Sequence, residues 1–248
     1  MMKYLASRLL AARLNLLSAR PRLLYRRGLR CSSSTPSPDE KTTIDFVKKA
    51  ISAARAGKSK LPVEIYEIEG MSARGGRQLL NHLCSRRATR YLEIGVWQGS
   101  TWVASLYGNE RSVEEAVAID NWSMFGGPQE KFLANCSAYL PGSRYRLCNE
   151  DAFQIDPQRL FAEKVNLYFY DGDHSVLAQE RAFTHYDSIL ADPFIAIVDD
   201  WKWDRVRRGT FNAFEKLGYE VVYEQALTGR KREWHHGMYV ALIRKRLV

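Results

Sequence analysis

Acidic side chains directly follow five short apolar segments of this sequence. They are Glu93, Asp120, the pair Glu150-Asp151, the run Asp171-Gly172-Asp173-His174 and the pair Asp199-Asp200. If the apolar segments are parallel strands, their carboxyl ends meet at one edge of a sheet, where open α/β sheets bind ligands. One acidic end carries little information, but five at a single edge predict a binding site.

The last two of these groups predict a cation site. Asp171, Asp199 and Asp200 follow strands that are expected to be neighbours, and three unpaired carboxylates at close range repel one another. A hard cation with oxygen ligands, such as Mg²⁺, would relieve that repulsion. The alternative is that these acids cap the following helices or pair with the basic residues after position 200.

His174 stands next to these acids in the sequence. An imidazole titrates near neutral pH, so His174 is the candidate general base. The alternative is a histidine at a helix N-terminus that is hydrogen-bonded to the backbone.

A turn with two glycines follows the first strand, in Glu93-Ile94-Gly95-Val96-Trp97-Gln98-Gly99-Ser100. The glycines allow a tight turn and close approach of a ligand to the backbone, and Ser100 is suited to cap the next helix. The GxxxG spacing disfavours a dinucleotide site, and the lysine of a phosphate-binding loop is missing. Asp120 ends the next strand, where a carboxylate can accept hydrogen bonds from ribose hydroxyls. A ligand-free turn and an Asp that opens a loop remain alternatives, although the two features together favour a nucleoside site.

Strand and helix patterns alternate over most of the chain, which predicts a doubly wound, mostly parallel α/β sheet. The predicted strands are 90–95, 116–120, 145–148, 165–170, 194–199, 220–225 and 238–243. The helices between them are predicted at 100–107, 129–139, 176–190 and 204–217. Turn-like residues at 228–233 predict that the last two strands are antiparallel. Two amphipathic helices are predicted upstream, at 43–57 and 73–86, with a linker near 57–62.

Composition excludes several classes of protein. The chain has 248 residues, of which 46% are hydrophobic and 26% charged, an ordinary globular balance. Its apolar runs are too short for a membrane-spanning helix. The four cysteines have no CxxC spacing, so they indicate neither a disulfide framework nor a zinc site.

Residues 1–38 predict an organellar transit peptide and a flexible junction. They contain eight of the Lys and Arg residues and no Asp or Glu, so most of the net charge of +9 belongs to them. An acid-poor, Arg-rich segment with leucines at helical spacing is typical of mitochondrial import, and the Ser- and Pro-rich end is typical of a junction. We expect the mitochondrial matrix, with a plastid or a cytosolic protein with a basic tail as alternatives. The nearly neutral remainder predicts no nucleic-acid partner.

From about Gly70 to Ile243 the sequence resembles class I S-adenosylmethionine (SAM)-dependent methyltransferases. More narrowly, it is similar to the metal-dependent sugar and macrolide O-methyltransferases of the macrocin O-methyltransferase group. The motifs are YLEIGVWQGST (91–101), AIDNW (118–122), YDGDHS (170–175) and IVDDW (197–201). The resemblance implies a seven-stranded sheet with a C-terminal antiparallel hairpin, in which residues 90–248 bind SAM and residues 39–89 form a helical cap. Val176 stands where this group commonly has Tyr.

The same resemblance implies a role for each candidate residue. Glu93, Gly95 and Gly99 would line the methionine half of SAM, with Ser100 in the same cofactor set. Asp120 would hold the ribose, and Asp151 would lie at the adenine. Asp171, Asp199 and Asp200 would bind the metal, and His174 would be the general base.

The resulting hypothesis is Mg²⁺-assisted methylation of a small-molecule hydroxyl, with the metal lowering the pKa of that hydroxyl and the site orienting the reactants. One alternative keeps the chemistry but makes the acceptor a protein or a lipid quinone. Another is a catalytically silent binding or assembly module. A nicotinamide oxidoreductase is disfavoured by the GxxxG spacing. The sequence determines neither the acceptor nor the oligomeric state, and it leaves a homo-oligomer open.

Overall fold

Residues 35–246 are described by a computed structural model, and they form seven strands and eight α-helices. The strands are β1 (Thr89–Ile94), β2 (Val113–Ile119), β3 (Arg146–Cys148), β4 (Val165–Tyr170), β5 (Leu190–Val198), β6 (Glu220–Leu227) and β7 (Met238–Arg244). The helices are α1 (Pro38–Arg55), α2 (Val63–Glu67), α3 (Arg74–Cys84), α4 (Ser100–Leu106), α5 (Gln129–Tyr139), α6 (Val176–Thr184), α7 (Asp204–Lys216) and α8 (Lys231–Trp234). The predicted transit peptide lies outside the described residues, apart from its last four.

The seven strands form one sheet in the order β3-β2-β1-β4-β5-β7-β6. The first five pair in parallel, whereas β7 is antiparallel to both β5 and β6. This confirms the predicted α/β class and the antiparallel C-terminal hairpin. The order also places β2, β1, β4 and β5 side by side, so that their carboxyl ends adjoin.

The central strands are buried on both faces. One apolar layer contains Tyr91 and Phe169 with Leu79 of α3, and the other contains Leu92 and Tyr168. Successive residues of a strand point to opposite faces. Helices must therefore cover both faces, as the continuous apolar strands predict.

Helix α1 begins inside the predicted flexible junction. The Ser37 hydroxyl accepts a hydrogen bond from the Glu40 amide at 3.2 Å, and the Glu40 carboxylate accepts one from the Ser37 amide at 2.7 Å. This capping box starts the helix at Pro38 rather than at residue 43. The apolar periodicity gives the later start because the first turn of the helix is polar. Helices α1, α2 and α3 contribute residues to the same apolar layer as the sheet.

One further helix boundary differs from the prediction, and one helix was not predicted. The helix predicted at 176–190 ends at Thr184, because Leu190 already pairs with Val165 in the sheet. The segment after the predicted linker contains α2, whose Ile65 is fully buried. Within residues 35–246, no helix combines the length and apolar character needed to cross a membrane.

Candidate functional site

The carboxyl ends of the central strands are fixed side by side by hydrogen bonds that continue the sheet. The amide of Gly95 donates to the last carbonyl of β2 at 2.9 Å, and that of Asp171 to the last carbonyl of β1 at 2.8 Å. The amide of Asp199 donates to the last carbonyl of β4 at 3.2 Å. The structure therefore brings the residues that follow β1, β2, β4 and β5 to one edge.

The loop after β1 depends on its glycines. Gly95 and Gly99 both have φ of 86°, a left-handed conformation that side chains disfavour. A Cβ added to Gly95 would lie 2.1 Å from the carbonyl oxygen of Asp171. The loops after β1 and β4 consequently touch through the backbone, which only glycine permits.

Asp120 holds this loop in place. Its Oδ2 accepts hydrogen bonds from the amides of Val96 (2.9 Å) and Trp97 (2.8 Å), and its Oδ1 accepts one from the amide of Trp122 (2.7 Å). The Trp122 indole also donates to the Trp97 carbonyl at 2.7 Å, which joins the loops after β1 and β2. A carboxylate has about four acceptor positions. Asp120 therefore keeps one, on Oδ1, for a ligand.

Glu93 lies inside the protein, beneath the loop. It is fully buried, and its carboxylate accepts hydrogen bonds from the hydroxyls of Tyr91 (2.6 Å) and Thr101. Burial raises the pKa of Glu93 to about 7, and the nearby Asp120 charge adds to the rise, while the two hydrogen bonds oppose it. The sequence predicts that Glu93 lines the cofactor, whereas the structure covers it with protein and uses it to link β1 to α4.

Ser100 contacts a distant serine, and Asp151 makes a local contact. Ser100 is the first residue of α4 and is buried, with its hydroxyl 3.0 Å from that of Ser72. The predicted capping role is wrong, because Gly99 occupies the N-cap and no side chain caps the helix. The Asp151 carboxylate is exposed and accepts a hydrogen bond from the Phe153 amide at 2.7 Å, which shapes the turn after β3.

His174 lies between two of the acidic residues. Its Nε2 is 3.0 Å from Asp200 Oδ2 and 3.6 Å from Asp171 Oδ1. Both Nε2 and the other Asp200 oxygen are buried without a hydrogen-bond partner among the described residues. Nε2 is therefore in contact with these two carboxylates, and Asp200 Oδ1 has no partner among the described residues.

The aspartates near His174 are close enough to oppose one another's ionisation. Burial raises the pKa of Asp171, and the charges of Asp200, Glu93 and Asp120 raise it further. Burial likewise raises the pKa of Asp199, with Asp171 and Asp200 adding to the effect. The edge of the sheet thus concentrates negative charge around one imidazole.

These residues, as placed, do not form the predicted Mg²⁺ site. In the part of the chain that the structure describes, no three His, Cys, Asp or Glu side chains are arranged to hold a metal ion. The His174 imidazole lies between Asp171 and Asp200, where a cation shared by those two carboxylates would have to bind. The expectation that Asp171, Asp199 and Asp200 form a ready metal site is therefore not met by this arrangement.

An aromatic and basic group adjoins His174. The Trp203 ring centroid is 5.1 Å from that of His174 and 5.4 Å from that of His236, and the guanidinium carbon of Arg205 is 4.4 Å from the Trp203 centroid. His236 is distant in sequence from His174 and Trp203. It arrives because the backbone of residues 201–202 is hydrogen-bonded to that of residues 236–237.

A cavity of about 260 Å³ lies beside the loop after β1. Glu64, Gln98 and Tyr139 are among its lining residues, and none of the predicted site residues lines it. The chemistry of the site is therefore assigned to the strand ends and not to this cavity.

Solved structures share this fold, although no family model and no curated protein matches the sequence. The cofactor-bound Rv0187 from MTB aligns with a TM-score of 0.54 and 17% identity, over 86% of this chain and 100% of its own. The O-methyltransferase from Bacillus cereus in complex with SAH gives 0.54 and 15%, over 81% of this chain and 91% of its own. TomG, an O-methyltransferase from Streptomyces achromogenes involved in tomaymycin synthesis and solved with SAM, gives 0.51 and 19%, over 81% and 90%.

These similarities show the fold of the chain. It is the α/β fold of SAM-dependent methyltransferases, with the seven-stranded mixed sheet described above. At such low identity, function has to be inferred from the residues at the edge of the sheet. The similarities do not single out the metal-dependent macrocin-like group.

Proposed function

We propose that the protein is a SAM-dependent methyltransferase that methylates a hydroxyl group of a small-molecule acceptor. One observation carries the proposal. The glycine loop, Asp120 and His174 meet at one edge of a sheet whose fold is shared with SAM- and SAH-bound methyltransferases.

The residues at this edge suit a nucleoside cofactor. The close contact of Gly95 with the Asp171 backbone holds the loops after β1 and β4 together. Asp120, which anchors the loop after β1, keeps one acceptor position for a ribose hydroxyl. Asp151 follows β3, the neighbour of β2, and would lie towards the adenine. When bound, SAM would supply a methyl group on a sulfonium; the acceptor oxygen would bond to the methyl carbon as the sulfur–carbon bond breaks and SAH leaves.

His174 is the group placed to take the proton from the acceptor hydroxyl. Its Nε2 faces the carboxylates of Asp200 and Asp171, so the other ring nitrogen, Nδ1, is the one that would take the proton. The carboxylates of Asp200 and Asp171 lie within 4 Å and attract the positive charge that the imidazole gains. Holding the hydroxyl against the methyl donor supplies a further part of the rate.

A Mg²⁺-assisted reaction, as in the macrocin-like group, would require His174 to leave its place between Asp171 and Asp200. Turnover with added Mg²⁺ and with a chelator separates the two mechanisms. Activity that neither addition changes supports proton transfer to His174 alone. A requirement for Mg²⁺ supports the metal-assisted reaction.

Binding of SAH by calorimetry and transfer of a labelled methyl group to a panel of hydroxyl compounds test the proposal. We expect the protein to bind SAH, and Asp120→Ala to weaken that binding by roughly tenfold. We expect His174→Ala to lower turnover by about 10²–10⁴-fold with unchanged SAH affinity. His82→Ala is the matched control, because this histidine lies on α3 before β1 and its imidazole is hydrogen-bonded to the Lys58 carbonyl at 2.7 Å.

The possible results separate the hypotheses. A wild-type protein that does not bind SAH contradicts the proposed cofactor. Full turnover in His174→Ala contradicts the assignment of the base. SAH binding without methylation of any hydroxyl favours a silent module, and methylation of a protein or lipid-quinone acceptor instead changes the substrate class.

We also propose that residues 1–38 direct the protein to the mitochondrial matrix. The support is their excess of arginine, their lack of acids and their leucine spacing. A fluorescent protein fused behind residues 1–38 should enter the matrix. Fluorescence that stays in the cytosol contradicts the proposal, and fluorescence in plastids favours the alternative organelle.

A further inference from the structure

Trp203 brings a cationic side chain close to the candidate base. The guanidinium carbon of Arg205 lies 4.4 Å from the centre of the Trp203 ring, and the His174 ring lies 5.1 Å from the same centre. Arg205 and His174 are therefore no further apart than the sum of these two distances. A guanidinium on an indole face has a defined position, because the cation and the ring attract each other.

Arg205 has no acidic partner in the described part of the chain. Its neighbour Arg207, on the same helix, pairs with Asp204 and donates to the Trp201 carbonyl at 2.6 Å. Arg205 makes neither kind of contact, and its side chain is exposed. The planar donors of Arg205, which lies against the Trp203 ring, are consequently free for a carboxylate or a phosphate.

Acidic residues lie in contact with His174, and basic residues lie further out, near Trp203. Asp171 and Asp200 are within 4 Å of the imidazole and are unsuited to bind an anion. Lys202 is exposed near Trp203, with its amino group 3.1 Å from the Gly229 carbonyl and 3.4 Å from the His235 carbonyl. The Lys202 amino group is thus taken by backbone carbonyls, which leaves Arg205 as the cation beside Trp203 that can bind an anion.

From this arrangement we infer that the methyl acceptor carries an anionic group, a carboxylate or a phosphate, which Arg205 binds on the Trp203 ring while the hydroxyl faces His174. This inference rests on the proposed function, since it names the substrate class of the same site. Arg205 is then a binding residue that determines specificity and takes no part in proton transfer.

Calorimetry on the full-length protein saturated with SAH tests the inference with matched pairs of probes. One pair is 4-hydroxybenzoate and 4-hydroxybenzamide, and the other is glucose 6-phosphate and glucose. We expect the charged member of at least one pair to bind roughly tenfold or more tightly than its neutral partner. The pair that shows this preference identifies the anion as carboxylate or phosphate.

Two variants locate the effect. Arg205→Gln should abolish the preference for the charged probe, Arg205→Lys should restore part of it, and both should keep the wild-type affinity for SAH. Arg208→Gln is the control, because it removes the same charge from an exposed position on α7 that does not contact Trp203. Equal binding within both pairs, or equal losses in Arg205→Gln and Arg208→Gln, overturns the inference. Failure of the wild-type protein to bind SAH would instead overturn the proposed function.

Discussion

At the scale of single residues, Gly95 is the position where the loop after β1 tolerates no side chain. Its φ is 86°, and an added Cβ would lie 2.1 Å from the Asp171 carbonyl oxygen. We expect Gly95→Ala to lower the free energy of unfolding by about 1–3 kcal/mol and to weaken SAH binding, because the loops after β1 and β4 must separate. Chemical denaturation and calorimetry measure the two effects.

Gly142→Ala is the control for this prediction. A Cβ at Gly142 meets no atom within 4 Å, so the change should leave both quantities close to their wild-type values. If the two alanine variants behave alike, the close approach at Gly95 is not what stabilises the loop.

Glu93 shows the limit of sequence reasoning at this scale. Its place at the end of a strand, before a glycine turn, was readable from the sequence and implied a cofactor contact. The direction of its side chain could not be predicted from the sequence. It depends on Tyr91 and Thr101, whose hydroxyls donate hydrogen bonds to the Glu93 carboxylate. A strand-end position therefore identifies an acid near the site, and the partners decide whether it faces the ligand.

At the scale of elements, an ion pair joins the first helix to the last strand. The Arg244 guanidinium on β7 donates to both oxygens of the Glu40 carboxylate on α1, each at 2.7 Å. This contact lowers the pKa of Glu40 to about 2. The unfolded chain binds a proton at higher pH, so the contact stabilises the fold above about pH 4.5, and that stabilisation is lost as pH falls towards 2.

We therefore expect Glu40→Gln to lower the free energy of unfolding by about 2 kcal/mol at pH 7. The difference from the wild-type protein should shrink as the pH approaches 2, which denaturation at a series of pH values measures. Asp45→Asn, an exposed position on the same helix, should have little effect at any pH. A Glu40→Gln variant as stable as Asp45→Asn would show that the ion pair does not hold α1 on the sheet.

At the scale of the whole molecule, the sheet brings carboxylates from separate strands close together. Their mutual electrostatic repulsion destabilises the fold when they are ionised. The pKa of Asp199 is raised by burial and by the charges of Asp171 and Asp200. A carboxyl whose folded pKa lies above its unfolded value stabilises the fold less as pH rises through the folded pKa. We expect Asp199→Asn to raise the melting temperature at pH 7 by about 2–4 °C.

The advantage of Asp199→Asn over the wild-type protein should decrease as the pH is lowered, because the wild-type carboxyl then becomes neutral. Thermal unfolding in the presence of a chelator measures this without interference from added cations. Asp173→Asn, an exposed position on the same edge, is the control. A lower melting temperature for Asp199→Asn than for this control would contradict the claim that repulsion between these carboxylates destabilises the fold.

The sequence by itself determined the fold class, since runs such as Val165–Tyr170 are mostly apolar on both faces and must be covered by helices on both sides. It also located the acidic strand ends, because each acid stands at or directly after the end of an apolar segment. Only the tertiary structure decided what those acids meet. Glu93 points inward, Asp120 binds the neighbouring loop, and His174 lies between Asp171 and Asp200. The orientation of each side chain depends on contacts with residues of other strands, helices and loops.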